Sequence, residues 1–293
     1  MAGTHSDASV STLVFRSDEK GERWERDSLA AEEPLEIRLR EGGVEPERFV
    51  VTMRTPGDDD DLVAGLLYGE GVIEEIGEIV DIAPPPDGQV APELARNVRI
   101  VTLAPRADRR RARRATVMGS ACGVCGRTSV EDVAALAAAA RRGKKTPLSG
   151  GSPDSRISAS ILTSLPAALR ARQSLFSSTG GLHAAGLFEA DGTFLLARED
   201  VGRHNATDKA IGALLRSGRG CPPILLVSGR LGFEIAQKAA LAGVTIVAAV
   251  SAPTSLAVDL AEETGLTLVG FLRGERFNVY THPQRITRRA GET

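Results

Sequence analysis

A chain of 293 residues can bury a substantial core, as one large domain or two modest ones. Its 36 basic and 38 acidic residues leave a formal charge of −2, too balanced for a dedicated nucleic-acid binder. No apolar run approaches the ~18 residues that suggest a membrane span, no basic-then-apolar start suggests a signal peptide, and three cysteines make no disulfide framework, so a reducing cytoplasm is the expected compartment.

Residues 1–30 are polar, without sustained periodicity, and predict a flexible leader tethered at most around Leu13–Phe15. Leu35 to Arg40 alternates apolar and charged residues as a half-buried strand does, and Arg48 to Arg54 is its hairpin partner across Glu41-Gly42-Gly43. Asp58-Asp59-Asp60-Asp61 follows. A metal site is one reading, but acids favour a helix N-terminus and leucines follow at helical spacing, so a helix start is the expectation. Ala83 to Gly88 is a proline-rich loop, and Asn97 to Leu103 returns as a strand.

Next comes Gly119-Ser120-Ala121-Cys122-Gly123-Val124-Cys125-Gly126-Arg127, two cysteines among small residues. The segment Arg96 to Ser120 before it carries eight arginines against one acid, Asp108. Positive surroundings lower a thiol's pKa, and the thiolate is the nucleophile. Half a zinc site, a thioredoxin-like redox pair and a persulfide carrier all use Cys-x-x-Cys. Zinc lacks a second closely spaced ligand pair, since Cys221 and the four histidines are scattered. The redox motif belongs inside a βαβ unit, whereas the α/β pattern here is separate and downstream. A carrier needs a nucleophilic, exposed, mobile thiol, and these surroundings supply one. The arginines at 106, 109, 110, 111, 113 and 114 activate the thiols, steer an anion, dock a partner, or form only a solvated linker.

Thr128 or Ser129 caps a strongly helix-favouring stretch ending in Ala-Ala-Arg-Arg. Residues 143–157 read as a hinge, which sets domains at 31–142 and 158–293. A helical stretch near Ile161 to Ser174 is expected to break and restart at Pro166. Ser177 to Gly181 reads as a tight turn. A hairpin over Leu182 to Ala197, turning at Asp191-Gly192, precedes apolar strands at Ile224–Val227, Thr245–Val250 and Leu266–Leu272. Helices near Asn205–Leu215, Glu234–Leu241 and Ser255–Glu263 alternate with them. This predicts a mixed sheet with a parallel core and covered faces. Ligands bind beyond the carboxyl ends of such strands, here Ser228-Gly229-Arg230, Ser251 to Thr254 and Arg273 to Arg276. Arg198 to Lys209 is too polar for a buried connection; it is either a helix with a solvated charged face or a pocket wall. Cys221, ahead of a buried strand, reads as a packed small residue. The hairpin-then-α/β order invites a deaminase reading, but His183-Ala184-Ala185 has alanine where the general acid/base belongs, and no Pro-Cys-x-x-Cys follows.

Several segments together resemble the FdhD family of sulfur carriers needed for formate dehydrogenase activity. They are Arg54 to Asp58, Cys122 to Gly126, Thr179 to Ala185, Arg198 to Ala206, Val250 to Thr254, Gly270 to Gly274 and Asn278 to Tyr280. The resemblance implies an α/β chain whose C-terminal, cofactor-binding domain is a cytidine-deaminase-like three-layer mixed sheet, with a smaller N-terminal α+β domain carrying the Cys-x-x-Cys loop. It implies a cytoplasmic homodimer that takes sulfur from a cysteine desulfurase. That sulfur passes to the molybdenum (or tungsten) bis-guanine-dinucleotide cofactor before the cofactor enters formate dehydrogenase. By motif match Cys122 would hold the persulfide, with Cys125 assisting or resolving, and Phe271, Leu272, Arg273, Gly274, Glu275 and Arg276 would bind the cofactor. Arg273 and Arg276 suit pyrophosphate oxygens. Phe271 either stacks on a flat ring or completes the last strand in the core. A non-catalytic cofactor chaperone and a zinc-stapled structural protein are the alternatives.

Overall fold

The computed structural model describes residues 8–105 and 155–287. Strands β1 (Ser9–Asp18) and β2 (Gly21–Ala30) pair antiparallel as a separate two-stranded ribbon, so residues 9–30 are not the frayed leader expected of them. The ribbon hid from the hydrophobic pattern because it buries so little. Leu13, Phe15 and Trp24 stay exposed, and the strands hold together through ladder bonds, the Arg23–Asp18 ion pair at 2.9 Å and tilted Phe15–Trp24 rings 5.4 Å apart.

A four-stranded sheet, ordered β4-β3-β6-β5, uses β3 (Glu33–Glu41), β4 (Glu47–Arg54), β5 (Ile79–Ala83) and β6 (Val98–Leu103). The predicted β3–β4 hairpin forms, with a bulge at Ile37/Arg38, and β6 joins β3 in parallel. Helix α1 (Asp59–Gly69) starts within the aspartate run as expected. Each acid meets arginine: Asp59 meets Arg54 and Arg99, Asp60 meets Arg99 and Arg216, and Asp61 and Asp58 meet Arg198. A short helix α2 (Pro92–Ala95) leads into β6.

After β7 (Ile157–Ser158), helix α3 (Ala159–Arg170) runs unbroken through Pro166 and does not restart there. Buried Leu162, Leu165 and Leu169 pin it to the sheet on both sides of the proline, so the missing N–H does not end the helix. Helix α4 (Ser174–Thr179) replaces the expected tight turn and stops at Gly180, which takes the left-handed conformation at φ 70°.

The large sheet has six strands in the order β13-β12-β11-β10-β8-β9. Its members are β8 (His183–Phe188), β9 (Phe194–Asp200), β10 (Ile224–Val227), β11 (Ile246–Ala249), β12 (Thr267–Arg273) and β13 (Arg276–Val279), while a short β14 (Ile286–Thr287) pairs with β7. Strands β10, β11 and β12 are parallel and the outer ones antiparallel, the mixed sheet expected. Helices α5 (Arg203–Ser217), α6 (Phe233–Ala242) and α7 (Ser255–Thr264) supply one core, and α3 packs into a second core that takes alternate strand residues such as Phe188, Leu226 and Leu272.

Helix α5 is the centre. Every residue from Asn205 to Leu215 is buried, because α1 covers the side that the sheet leaves open. The two helices touch backbone to backbone through paired glycines. A Cβ added to Gly65 would stand 1.9 Å from the Asp208 carbonyl oxygen, and one on Gly212 would stand 1.8 Å from that of Asp61. A single apolar cluster therefore runs from Leu35 and Val101 of the small sheet, through Leu66 and Ile211, to Leu225 and Leu268 of the large one.

Candidate functional site

The carboxyl ends of β10, β11 and β12 come out side by side, as parallel strands must, and backbone bonds lace the loops together. Leu231 donates to the Ala252 carbonyl at 3.1 Å, Thr254 to Leu231 at 3.0 Å and Phe271 to Ser251 at 3.1 Å. Gly270 permits this closeness, since a Cβ there would lie 2.8 Å from Pro253 Cδ and 3.0 Å from the Tyr280 ring. The next residue, Phe271, has φ 54° at an irregularity in the β12–β13 ladder. A bulky residue in that region costs on the order of 1–3 kcal/mol, and the ring it holds out is 43% exposed. The exposed end of the strand, and not the core, is where Phe271 sits. Leu272 turns the other way into the α3 core; Arg273 donates from Nε to the Val250 carbonyl at 3.0 Å; and Gly274, at φ 55°, with Glu275 makes the tight turn to exposed Arg276.

Beside this edge lies a second polar group at the end of β10. His183 opens β8, and its ring lies against Gly229: a Cβ there would be 3.1 Å from His183 Nδ1 and 3.6 Å from Arg203 Cβ. Arg203 and His204 begin α5, and Glu234 lies in the first turn of α6 with Oε2 3.1 Å from His204 Nδ1. Burial, with Arg203, Lys238 and His183 nearby, pushes the His204 imidazole down to about 4; burial and Arg203 likewise lower that of His183. Burial raises the Glu234 carboxyl. Both imidazoles are thus neutral at pH 7. Most arginines around α1 are engaged, but among the described residues the Arg203 guanidinium has no hydrogen-bond or ion-pair partner, and its Nε is sealed from water. No three His, Cys, Asp or Glu residues among those described are grouped to hold a metal.

What aims Arg203 and His204 is a buried knot just before them. Asp200 accepts from Gly202 N at 2.8 Å and Asn205 Nδ2 at 3.1 Å through one oxygen, and from Thr55 N at 3.1 Å and Lys209 Nζ at 2.8 Å through the other. Lys209 also donates to the Thr55 carbonyl, and Asn205 to that of Met53. The Arg198–Lys209 run, read as either a solvated helix face or a pocket wall, is half-buried from Arg198 to His204 apart from buried Asp200, and fully buried from Asn205 to Lys209. Every polar group in the knot has a partner, which is what makes burial tolerable. The partners come from residues 53–55, some 150 positions away, so local polarity gave no sign of them.

The model of the FdhD/NarQ family matches residues 30–287. The chain belongs to this family. Sulfur carrier protein FdhD of Nocardia farcinica is 48% identical over 276 residues, 93% of each chain. The protein of that name from Streptomyces coelicolor is 46% identical over 90% of each, and that from Sulfurisphaera tokodaii 41% identical over 93% of this chain and 97% of its own. The fold matches a crystal structure from Desulfotalea psychrophila, described as a candidate formate dehydrogenase accessory protein, with a TM-score of 0.69, 24% identity, and coverage of 96% of this chain and all of that one.

Of the residues the FdhD resemblance nominates, Phe271 to Arg276 share one edge of the large sheet, while Cys122, Cys125 and the arginines from 106 to 114 lie outside the described residues. Cys221 is buried, its thiol pushed up by desolvation, as a packed small residue should be. The group of His183, Arg203, His204 and Glu234 was not assembled from sequence. In the sequence His183 enters through the deaminase comparison and the Thr179–Ala185 motif, Arg203 and His204 through the polar Arg198–Lys209 run, and Glu234 only as part of a helix.

Proposed function

We propose that the chain is a sulfur carrier: Cys122 accepts persulfide sulfur from a cysteine desulfurase, and that sulfur passes to a molybdenum bis-guanine-dinucleotide held at the carboxyl edge of the large sheet, ahead of its use by formate dehydrogenase. The observation carrying this reading is 41–48% identity, over nine-tenths or more of both chains, to proteins named sulfur carriers.

In loading, the Cys122 thiolate attacks the outer sulfur of the donor persulfide. The donor S–S bond breaks, a new one forms on Cys122, and the donor cysteine leaves as a thiolate. In delivery, Cys125 attacks the inner sulfur, so the outer atom departs as hydrosulfide toward the bound substrate and a Cys122–Cys125 disulfide remains. The edge supports the substrate's chemistry: exposed Arg273 and Arg276 offer guanidinium donors to pyrophosphate, and Phe271 offers a ring face. Leu272 contributes by anchoring the strand from below. On this reading the large sheet with helices on both faces is a cytidine-deaminase-like scaffold that holds a nucleotide without zinc chemistry, in a cytoplasmic homodimer.

The test is formate dehydrogenase activity in cells whose own carrier is deleted. Cys122→Ala should abolish rescue while the purified variant still binds guanine nucleotide. Full rescue by a Cys122→Ser/Cys125→Ser double variant would instead show a chaperone that holds the cofactor without carrying sulfur.

A further inference from the structure

We infer that two copies of this chain join through the ribbon of β1 and β2, apolar face to apolar face across a two-fold axis beside Trp24. The inference rests on the dimer proposed above and names the surface that forms it. Residues paired across the ribbon share a face: Phe15 stands opposite Trp24, Leu13 opposite Arg26 and Ser17 opposite Glu22. Trp24, the sole tryptophan, is 69% exposed, and Leu13 and Phe15 on the same face are more than half exposed. The ribbon pairs with no third strand among the described residues. A two-stranded hairpin alone is marginal in water, and packing on its apolar face is what secures it.

The charges identify the occupant. On the opposite face they are used up inside the ribbon: Arg16 pairs with Glu25, and Arg23 with Asp18 at 2.9 Å and with Glu25 at 3.0 Å. On the apolar face stand Glu22 and Arg26, both exposed. Among the described residues neither forms an ion pair, and Arg26 reaches only Ser11 Oγ, at 3.5 Å. They lie two residues either side of Trp24 on β2. A two-fold axis at Trp24 runs the second β2 antiparallel to the first, so each Glu22 faces the partner's Arg26. Faces about 10 Å apart leave these two long side chains within reach of each other. The patch is thus complementary to itself, as a two-fold interface must be. Nor does β1 hold a second copy off: Ser9 to Phe15 carries no charge, proline or glycine, and its register has no bulge. Trp24, Phe15 and Leu13 together expose roughly 350 Å² per copy, so two copies with the flanking side chains reach about the 1,000 Å² that a specific interface needs.

Sedimentation equilibrium of the full chain, alongside the emission of Trp24, tests this. The wild type should be a dimer at micromolar concentration, with the emission moving to longer wavelength as dilution separates the copies. Glu22→Arg sets like charges against each other and should weaken the dimer about 10- to 100-fold, as should Arg26→Glu. The double variant Glu22→Arg/Arg26→Glu should recover wild-type affinity, a rescue that damage to the fold does not give. Trp24→Asp should leave a monomer. A dimer that these substitutions leave intact would overturn the inference while the dimer itself stands, and so would a double variant no tighter than either single one. A wild type that stays monomeric well above micromolar concentration would overturn both. Sulfur loading on Cys122 is read separately, by mass, and none of these outcomes decides it.

Discussion

Lys209 Nζ meets the Asp200 carboxylate at 2.8 Å with almost no solvent reaching either side chain, and the same carboxylate takes the backbone N–H of Thr55. This pair fastens the small sheet to the turn that launches α5. Removing one partner strands a buried charge. Lys209→Met should therefore cost about 3–5 kcal/mol in urea unfolding. A loss under about 1 kcal/mol, the range of surface pairs, would show that the knot is open to water.

The glycine pair between α1 and α5 makes a second demand. Gly212→Ala puts a methyl 1.8 Å from the Asp61 carbonyl oxygen, and only backbone movement relieves it. The expected loss is about 3 kcal/mol or more, seen in thermal or urea unfolding. Gly77→Ala, with nothing within 4 Å, is the control and should stay within about 0.5 kcal/mol. Equal effects at the two positions would contradict the close helix contact.

Stability should depend on pH through His204. Its imidazole is pushed down to about 4 in the folded chain, against about 6.5 when unfolded. Between those values the unfolded chain binds more protons, so this contribution is complete above about pH 6.5 and is lost as pH falls through about 4. Asp208 runs oppositely. Burial raises it to about 6, so the folded state keeps a proton that the unfolded state has shed, and stability falls as pH rises through that window. His204→Gln should remove the first effect and leave the second, so the variant loses less stability than wild type between about pH 7 and pH 5. Identical pH profiles would contradict a buried neutral His204.

Thiol labelling separates the cysteines. Cys221 is 3% exposed and its thiol is raised by burial. In a Cys122→Ser/Cys125→Ser background, native protein should resist a thiol reagent and react at one site once denatured. Rapid native labelling would place Cys221 at the surface.

Much of this arrangement was legible in sequence where burial has a period. Leu35 to Arg40 alternates because one face of β3 is buried, and Ile224–Val227 is wholly apolar because β10 is covered on both faces. The ribbon of β1 and β2 was not legible, since its Trp24 and Phe15 point at water and mark no buried face. Nor was the burial of Asp200 and Lys209, whose compensating partners lie in Thr55 and Asn205 and cannot be seen from local polarity. At the site, Phe271 to Arg276 came from motif resemblance. Glu234 beside His204 depends on the starts of α5 and α6 meeting, a relation that only the fold provides.

Intact-mass measurement tests the central claim most directly. After incubation with a cysteine desulfurase and cysteine, the wild-type chain should gain sulfur that a reductant removes, and Cys122→Ala should gain none. A wild-type chain that stays unmodified while the desulfurase itself carries persulfide would contradict the account.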